Sequence, residues 1–373
     1  QISRMTKDIQ AALRAPRVAH DLMRVLDQVE QGDIQGLDAR NVEEMQLMHA
    51  LETALSEEQA LEANRIETEG RGLHSRVKAG NDWDSAKEWL ESVVAFKRQQ
   101  GELIRQRLRL DTPYEGLLQI YCPGMREDDF TAHFDRLVPM VKDVMALAQD
   151  KQGPQPHVPE MAFDTDRQLP FFQSVLEQMG FDRTRGDLYV TEHDPIEGGT
   201  RNDARVVVSP FAADTKSFFK SLKSAVHEGA HGIHLQNLPE EHQYDLLGLH
   251  PGMDLWEAVA LGYEMVLSRS PEFSAHLSDV LRDEFDAGIS GEEIYKMRSF
   301  VAPGLDRKTA DEVSYHLHVA IRLDLERRLI NGELEVKDLP SEWNKLYEDT
   351  FGMAPDTHQE GVLQDVHWWV GKF

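Results

Sequence analysis

From Ala39 to about Lys78, the apolar residues Met45, Leu47, Met48, Leu51, Leu55 and Leu61 recur at steps of three and four, with Glu-rich faces opposite them. The period returns from Asp82 to Leu110, where Trp83, Trp89, Val93, Phe96, Leu103 and Leu108 are the expected buried stripe. A chain written mainly in this period folds as packed helices, since a sheet needs alternation at every second residue. Gly80-Asn81 is the expected stop and restart between the two runs. Residues 153–159 hold three prolines and read as a linker, because proline does not fit a helix interior. They divide an N-terminal helical region, 1–152, from a second region, 153–373, both within one continuous domain. Only residues 186–210 depart from the helical period. There Leu188–Thr191 and Arg205–Val208 are β-branched runs around a turn-rich Gly198-Gly199-Thr200-Arg201-Asn202-Asp203, expected as a small hairpin. The expected fold class is mainly α with one small β-sheet.

Charge and composition exclude several roles. Forty basic residues against 66 acidic ones give a net charge of −26, with no basic patch, which argues against nucleic-acid and anionic-membrane partners. No stretch approaches the roughly 18 consecutive apolar residues of a membrane span. The sole cysteine, Cys122, rules out an intramolecular disulfide framework and reads as an inert packed thiol, so a reducing, cytoplasmic setting is expected.

The chemistry concentrates at His227-Glu228-Gly229-Ala230-His231. Histidines four residues apart on a helix share one face and can hold one tetrahedral ion. Glu228, beside the first histidine, is placed to take a proton from an attacking water. A chance match in a chain of this composition is on the order of one in fifteen, so the motif alone is suggestive. Gly229 and Gly232 each cost the helix about 1 kcal/mol against alanine, and close approach of a substrate backbone would account for them. A third ligand has to come from elsewhere. His234 is too far along the same helix, since seven residues span about 10.5 Å. Downstream, Asp254 is the expected N-cap of a helix carrying Glu257 and Glu264, and spacing leaves open whether these are ligands or simply mark the helix's wet face.

Several ordered segments resemble the M32 metallocarboxypeptidases. They are Tyr114–Met125 with its Pro-Gly-Met ending, the Glu228 helix continuing to His234-Leu235-Gln236, Ala310–Tyr315 followed by Leu317-His318, Leu339-Pro340 with Trp343-Asn344, and Gly361–Trp368. The last matches the family pattern Gly-x-x-Gln-Asp-x-His-Trp. The resemblance implies a large helical metallopeptidase fold, neurolysin-like, with the small β-sheet beside the active-site cleft. It implies zinc, with cobalt also accepted, held by His227, His231 and Glu257, with Glu228 as general base. It places Arg307 on the peptide's terminal carboxylate and His367 in the cleft, and adds Arg205, His193 and Gln364 as substrate-binding residues; His318 reads as a satisfied core histidine. Peptide substrates and a homodimer are also implied.

Departures from the family pattern accompany these matches. His193-Asp194-Pro195 stands for His-Pro-Phe, and Asp203-Ala204-Arg205-Val206-Val207 lacks the threonine of Asp-x-Arg-x-Thr. Trp256 stands where the family has a histidine, and Asp306-Arg307 keeps only the arginine of an Ile-Arg pair. A front Trp-Asp region and a late aromatic segment are absent, so a shortened C-terminal end is expected. The expected function is zinc-dependent removal of C-terminal residues from peptides. The alternatives are an oligoendopeptidase on the same site and a catalytically weak or silent peptide-binding protein of the same fold.

Overall fold

The computed structural model describes residues 2–191, 196–249 and 252–373. Both helical runs are present, but the first, read as one from Ala39 to about Lys78, is two helices, Gly36–Glu52 and Glu57–Gly80, parted at residues 53–56. Ser56 opens helix Glu57–Gly80 with a capping box, accepting from the Gln59 amide at 3.2 Å while the Gln59 side chain accepts from the Ser56 amide at 2.7 Å. Asn81 ends that helix in the left-handed region at φ 51°. Asp82 then caps helix Trp83–Leu108 by accepting from the Ser85 amide at 3.1 Å. The expected stop and restart is present.

The buried stripe of helix Trp83–Leu108 is turned from the expected one. Ala86, Leu90, Val93, Val94 and Ile104 are its buried apolar residues, while Trp83, Trp89 and Phe96 pack at the margin of the cluster. The smallest residues take the closest approach: a Cβ on Gly101 would collide with the Pro113 carbonyl of helix Pro113–Tyr121. The large rings cover the flanks, where Trp89 Nε1 can donate to the Trp369 carbonyl at 3.0 Å.

The chain groups into two compact units. One joins the residues up to Gln149 with Val301–Phe373, and the other is Asp150–Phe300. The first boundary lies close to the proline-rich linker, but residues 301–373 return to the first unit, a division different from 1–152 and 153–373. The cause is long-range burial: Leu325, Leu329, Trp343, Tyr347, Trp368 and Trp369 share one cluster with Ile66, Leu90 and Val93.

In the second unit an aromatic core of Phe163, Phe171, Phe172 and Phe218 packs around helix Thr215–Asn237, with Phe163 and Phe218 stacked at 3.9 Å. Beside it lies a sheet of β1 (Gly186–Val190), β2 (Ile196–Thr200) and β3 (Asp203–Val208), in the order β1-β3-β2. The two runs expected to form a hairpin pair in parallel instead, with Leu188 opposite Val206. The hairpin belongs to β2 and β3, which are antiparallel, with Thr200 opposite Asp203. Sequence reading misses β2 because Gly198-Gly199 reads as a turn, whereas an edge strand tolerates glycine and here needs it: Gly199 sits at φ 105°, and a Cβ there would meet the Asp203 carbonyl. On β3, Ala204, Val206 and Val208 are buried, while Asp203 and Arg205 are exposed.

Candidate metal centre

Helix Thr215–Asn237 presents two faces to different tasks. Phe218, Leu222, Ala225, Val226 and Ile233 enter the core, and Lys223, His227 and His231, four residues apart, share another face. Gly229 and Gly232 belong to the packing. A Cβ on Gly229 would collide with the Leu176 side chain, and one on Gly232 would stand 2.6 Å from the Phe181 ring and 2.9 Å from Val206 Cγ2. The glycines let the helix lie tight on Leu176 and on β3; the expectation that they make room for a substrate backbone is corrected.

Glu257 comes from helix Met253–Leu261, whose N-cap is Gly252 at φ 99°; Asp254, the expected cap, sits in the first turn. Glu257 Oε2 lies 3.4 Å from His227 Nε2, and its Oε1 lies 4.0 Å from His231 Nε2. All three ligand atoms fall within 4.8 Å of one another, and among the described residues no other group of His, Cys, Asp and Glu does this. A tetrahedral ion with bonds of about 2.1 Å sets its ligands roughly 3.4 Å apart, so His227 and Glu257 already stand at the right edge length. Two imidazoles and a carboxylate are a catalytic zinc donor set that leaves one position open. Openness is present, since the Glu257 side chain is 44% exposed while that of His231 is 2% exposed. The residues fit the ion. Glu228, the neighbour of His227 on the helix, is half-buried.

Glu264 lies on neither a wet face nor the ligand position. After Leu261 the backbone widens into a π-helical segment, Gly262–Leu267, and Glu264 is 4% exposed. Its Oε2 is 2.8 Å from His227 Nδ1, and its Oε1 is 3.2 Å from Lys223 Nζ. Burial alone would push the His227 imidazole down, but Glu257 and Glu264 outweigh it and carry it up to about 10. Burial also opposes ionisation of Glu257 and Glu264; contact with His227, joined at Glu264 by Lys223, still holds both below the ordinary value. The field between these groups favours positive charge, whether of a proton or of a metal. Trp256 closes the other side, its indole stacked on the His231 imidazole at 5.1 Å and 11°, with the two imidazoles at 87° to each other.

A second constellation lies in the first unit, around Asp365. This buried carboxylate is 2.5 Å from Arg322 Nη1, 3.2 Å from Arg307 Nη2 and 2.5 Å from His367 Nδ1. Burial would raise it, yet Arg322, His367 and Arg307 hold it well below the carboxylate range. The short contact at Nδ1 leaves Nε2 as the other ring nitrogen of His367, whose side chain is 39% exposed. Gln364 works inside the fold: its Nε2 donates to the Leu305 and Glu360 carbonyls and its Oε1 accepts from the Arg307 amide at 3.4 Å. Arg205 is exposed on β3 and grips Asp203 with both Nε and Nη2. His193 lies outside the described residues. His318 is buried as expected but only half satisfied: Nδ1 lies 2.9 Å from the Tyr347 hydroxyl, while Nε2 has no hydrogen-bond partner among the described residues.

The family described as carboxypeptidase Taq (M32) metallopeptidase matches residues 1–373. The chain belongs to the M32 metallocarboxypeptidases. It is 29% identical over 393 residues to thermostable carboxypeptidase 1 of Thermus thermophilus, covering 100% of this chain and 74% of that protein. It is 29% identical over 313 residues to carboxypeptidase 1 of Bacillus subtilis, covering 80% of this chain and 59% of the relative. In structure it is similar to Trypanosoma cruzi metallocarboxypeptidase 1, with a TM-score of 0.89 and 26% identity over 99% of this chain and 74% of the other. No helix among the described residues of this M32 member is long and apolar enough to cross a membrane.

Sequence reasoning missed Lys223, Arg322 and Asp365 as partners in these clusters. Lys223 carried a signal, since it stands one four-residue step before His227 on the same helical face. Arg322 carried none, because its contacts to Asp365 and His367 join residues 43 and 45 positions apart.

Proposed function

We propose that this M32 member is a zinc-dependent carboxypeptidase that removes residues one at a time from the C-terminus of peptides. The observation that carries the reading is the spacing of His227, His231 and Glu257, which suits a tetrahedral ion and keeps one side open. Zinc bound there lowers the pKa of water towards about 7 and polarises a carbonyl. His227, His231 and Glu257 hold the ion. Glu228 accepts the proton of the attacking water on its carboxylate and delivers it to the leaving amine as the peptide C–N bond breaks. Arg307 pairs with the substrate's terminal carboxylate, and Asp365 keeps that guanidinium from swinging freely. His367, fixed at Nδ1, offers Nε2 to the substrate. Cobalt is an alternative ion for the same donors, and a cytoplasmic homodimer completes the reading.

The test is metal content of the purified protein measured together with turnover of two peptides that differ only in a free or amidated C-terminus. Stoichiometric zinc with cleavage of the free acid alone supports the reading. Equal cleavage of both peptides makes the protein an oligoendopeptidase, and bound metal without turnover makes it a peptide-binding protein of the same fold.

A further inference from the structure

Lys223, His227 and His231 rise along one face of their helix, and Glu264 and Glu257 interleave with them from the opposing segment. Glu264 lies between Lys223 and His227, and Glu257 between His227 and His231. The two carboxylates address different nitrogens of His227, Nδ1 for Glu264 and Nε2 for Glu257. Imidazole carries one proton when neutral, so an acceptor on Nδ1 commits that proton and leaves the Nε2 lone pair for a metal. Glu264 reaches this place because the chain departs from α-helical geometry at Gly262–Leu267. A buried carboxylate without a counter-charge would be costly, and Lys223 supplies one at 3.2 Å.

We infer that Glu264 is a positioning residue for the metal centre, holding His227 in the Nδ1–H tautomer, and that Lys223 balances its charge. The inference rests on His227, His231 and Glu257 being the metal ligands. A carboxylate in this position strengthens the imidazole as a ligand and fixes its plane, and its loss weakens metal affinity about 10- to 100-fold. Lys223 acts through Glu264: without its ammonium the buried carboxylate loses its counter-charge, so its removal should destabilise the metal-free chain.

The experiment is zinc titration of the metal-free full chain against a chromophoric chelator, with helicity and melting temperature of the same samples recorded by circular dichroism. Glu264→Ala is expected to weaken zinc binding about 10- to 100-fold. Glu264→Gln, which keeps the shape and one acceptor oxygen, should fall between that variant and the parent, and it decides the question if Glu264→Ala fails to fold. Lys223→Met should lower the melting temperature of the metal-free chain, because Glu264 then lies buried without its counter-charge. His227→Ala and Glu257→Ala are the controls, both expected to lose stoichiometric zinc. Parent-like affinity in both Glu264 variants, with the controls inactive in binding, overturns the positioning role and leaves the metal reading intact. Parent-like affinity in the controls overturns the metal reading itself. An unchanged melting temperature in metal-free Lys223→Met overturns the charge-balancing role.

Discussion

The Trp256 indole and the His231 imidazole lie parallel, 11° apart in plane and 5.1 Å between centroids. The stack fixes the ring of a residue whose side chain is almost fully buried, at a position where the family pattern has histidine. An aromatic pair of this kind contributes about 0.5–1.5 kcal/mol beyond burial. Trp256→Ala should therefore weaken zinc binding by up to about tenfold, and Trp256→Phe should recover most of it. Chelator competition measures both; an alanine variant with parent-like affinity would reduce Trp256 to a filler.

Glu228→Gln should keep zinc and lose turnover by about 10²- to 10⁴-fold, because the amide retains the shape but cannot take up a proton. Metal analysis and peptide hydrolysis on the same preparation check the two halves separately. Substantial residual turnover at full zinc occupancy would remove Glu228 from its role.

Arg307→Ala should raise KM for free-acid peptides and barely alter the weaker binding of amidated ones, read as competitive inhibition of free-acid turnover. Truncating a charge-assisted, partly desolvated pair costs about 2–5 kcal/mol. Asp365 keeps Arg322 and His367 in this variant, so the cluster need not collapse. Arg307→Lys should restore only part, since a point charge does not reproduce the planar two-point grip. Equal losses on both peptide types would mean that Arg307 serves the fold alone.

Gly229→Ala should lower the melting temperature although alanine is the better helix former. The gain in propensity is about 1 kcal/mol, and the added methyl runs into the Leu176 side chain, an overpacking cost of about 1–3 kcal/mol. The thermal midpoint decides. An unchanged or higher midpoint, with activity lost, would return Gly229 to the substrate side of the helix.

Much of this was legible in the residues, and the gaps have physical causes. The helix stop at Gly80-Asn81 and the face shared by His227 and His231 follow from local rules of period and capping. The sequence reading misses the break at residues 53–56 inside the first run, although Ser56 and Gln59 form a capping box there. The sheet order was hidden because Leu188–Val190 pairs in parallel with β3, which no turn announces, and because glycine in β2 mimics a loop. Glu264 was read as a wet-face residue or spare ligand because the α-helical period does not predict a π-helical segment. Asp365 lay within a recognised motif, but its grip on Arg307 and Arg322 joins residues distant in sequence.

The return of residues 301–373 to the first unit bears on the order in which the protein is made. The ribosome completes Asp150–Phe300, with helix Thr215–Asn237 inside it, before Trp343, Trp368 and Trp369 exist. The second unit can thus close its aromatic core during synthesis, while the helices of the first wait with an unfilled interior for partners translated last. The nascent chain then carries one unit able to fold and one unfinished, and the apolar faces of helices Glu57–Gly80 and Trp83–Leu108 are what a chaperone would meet in that interval.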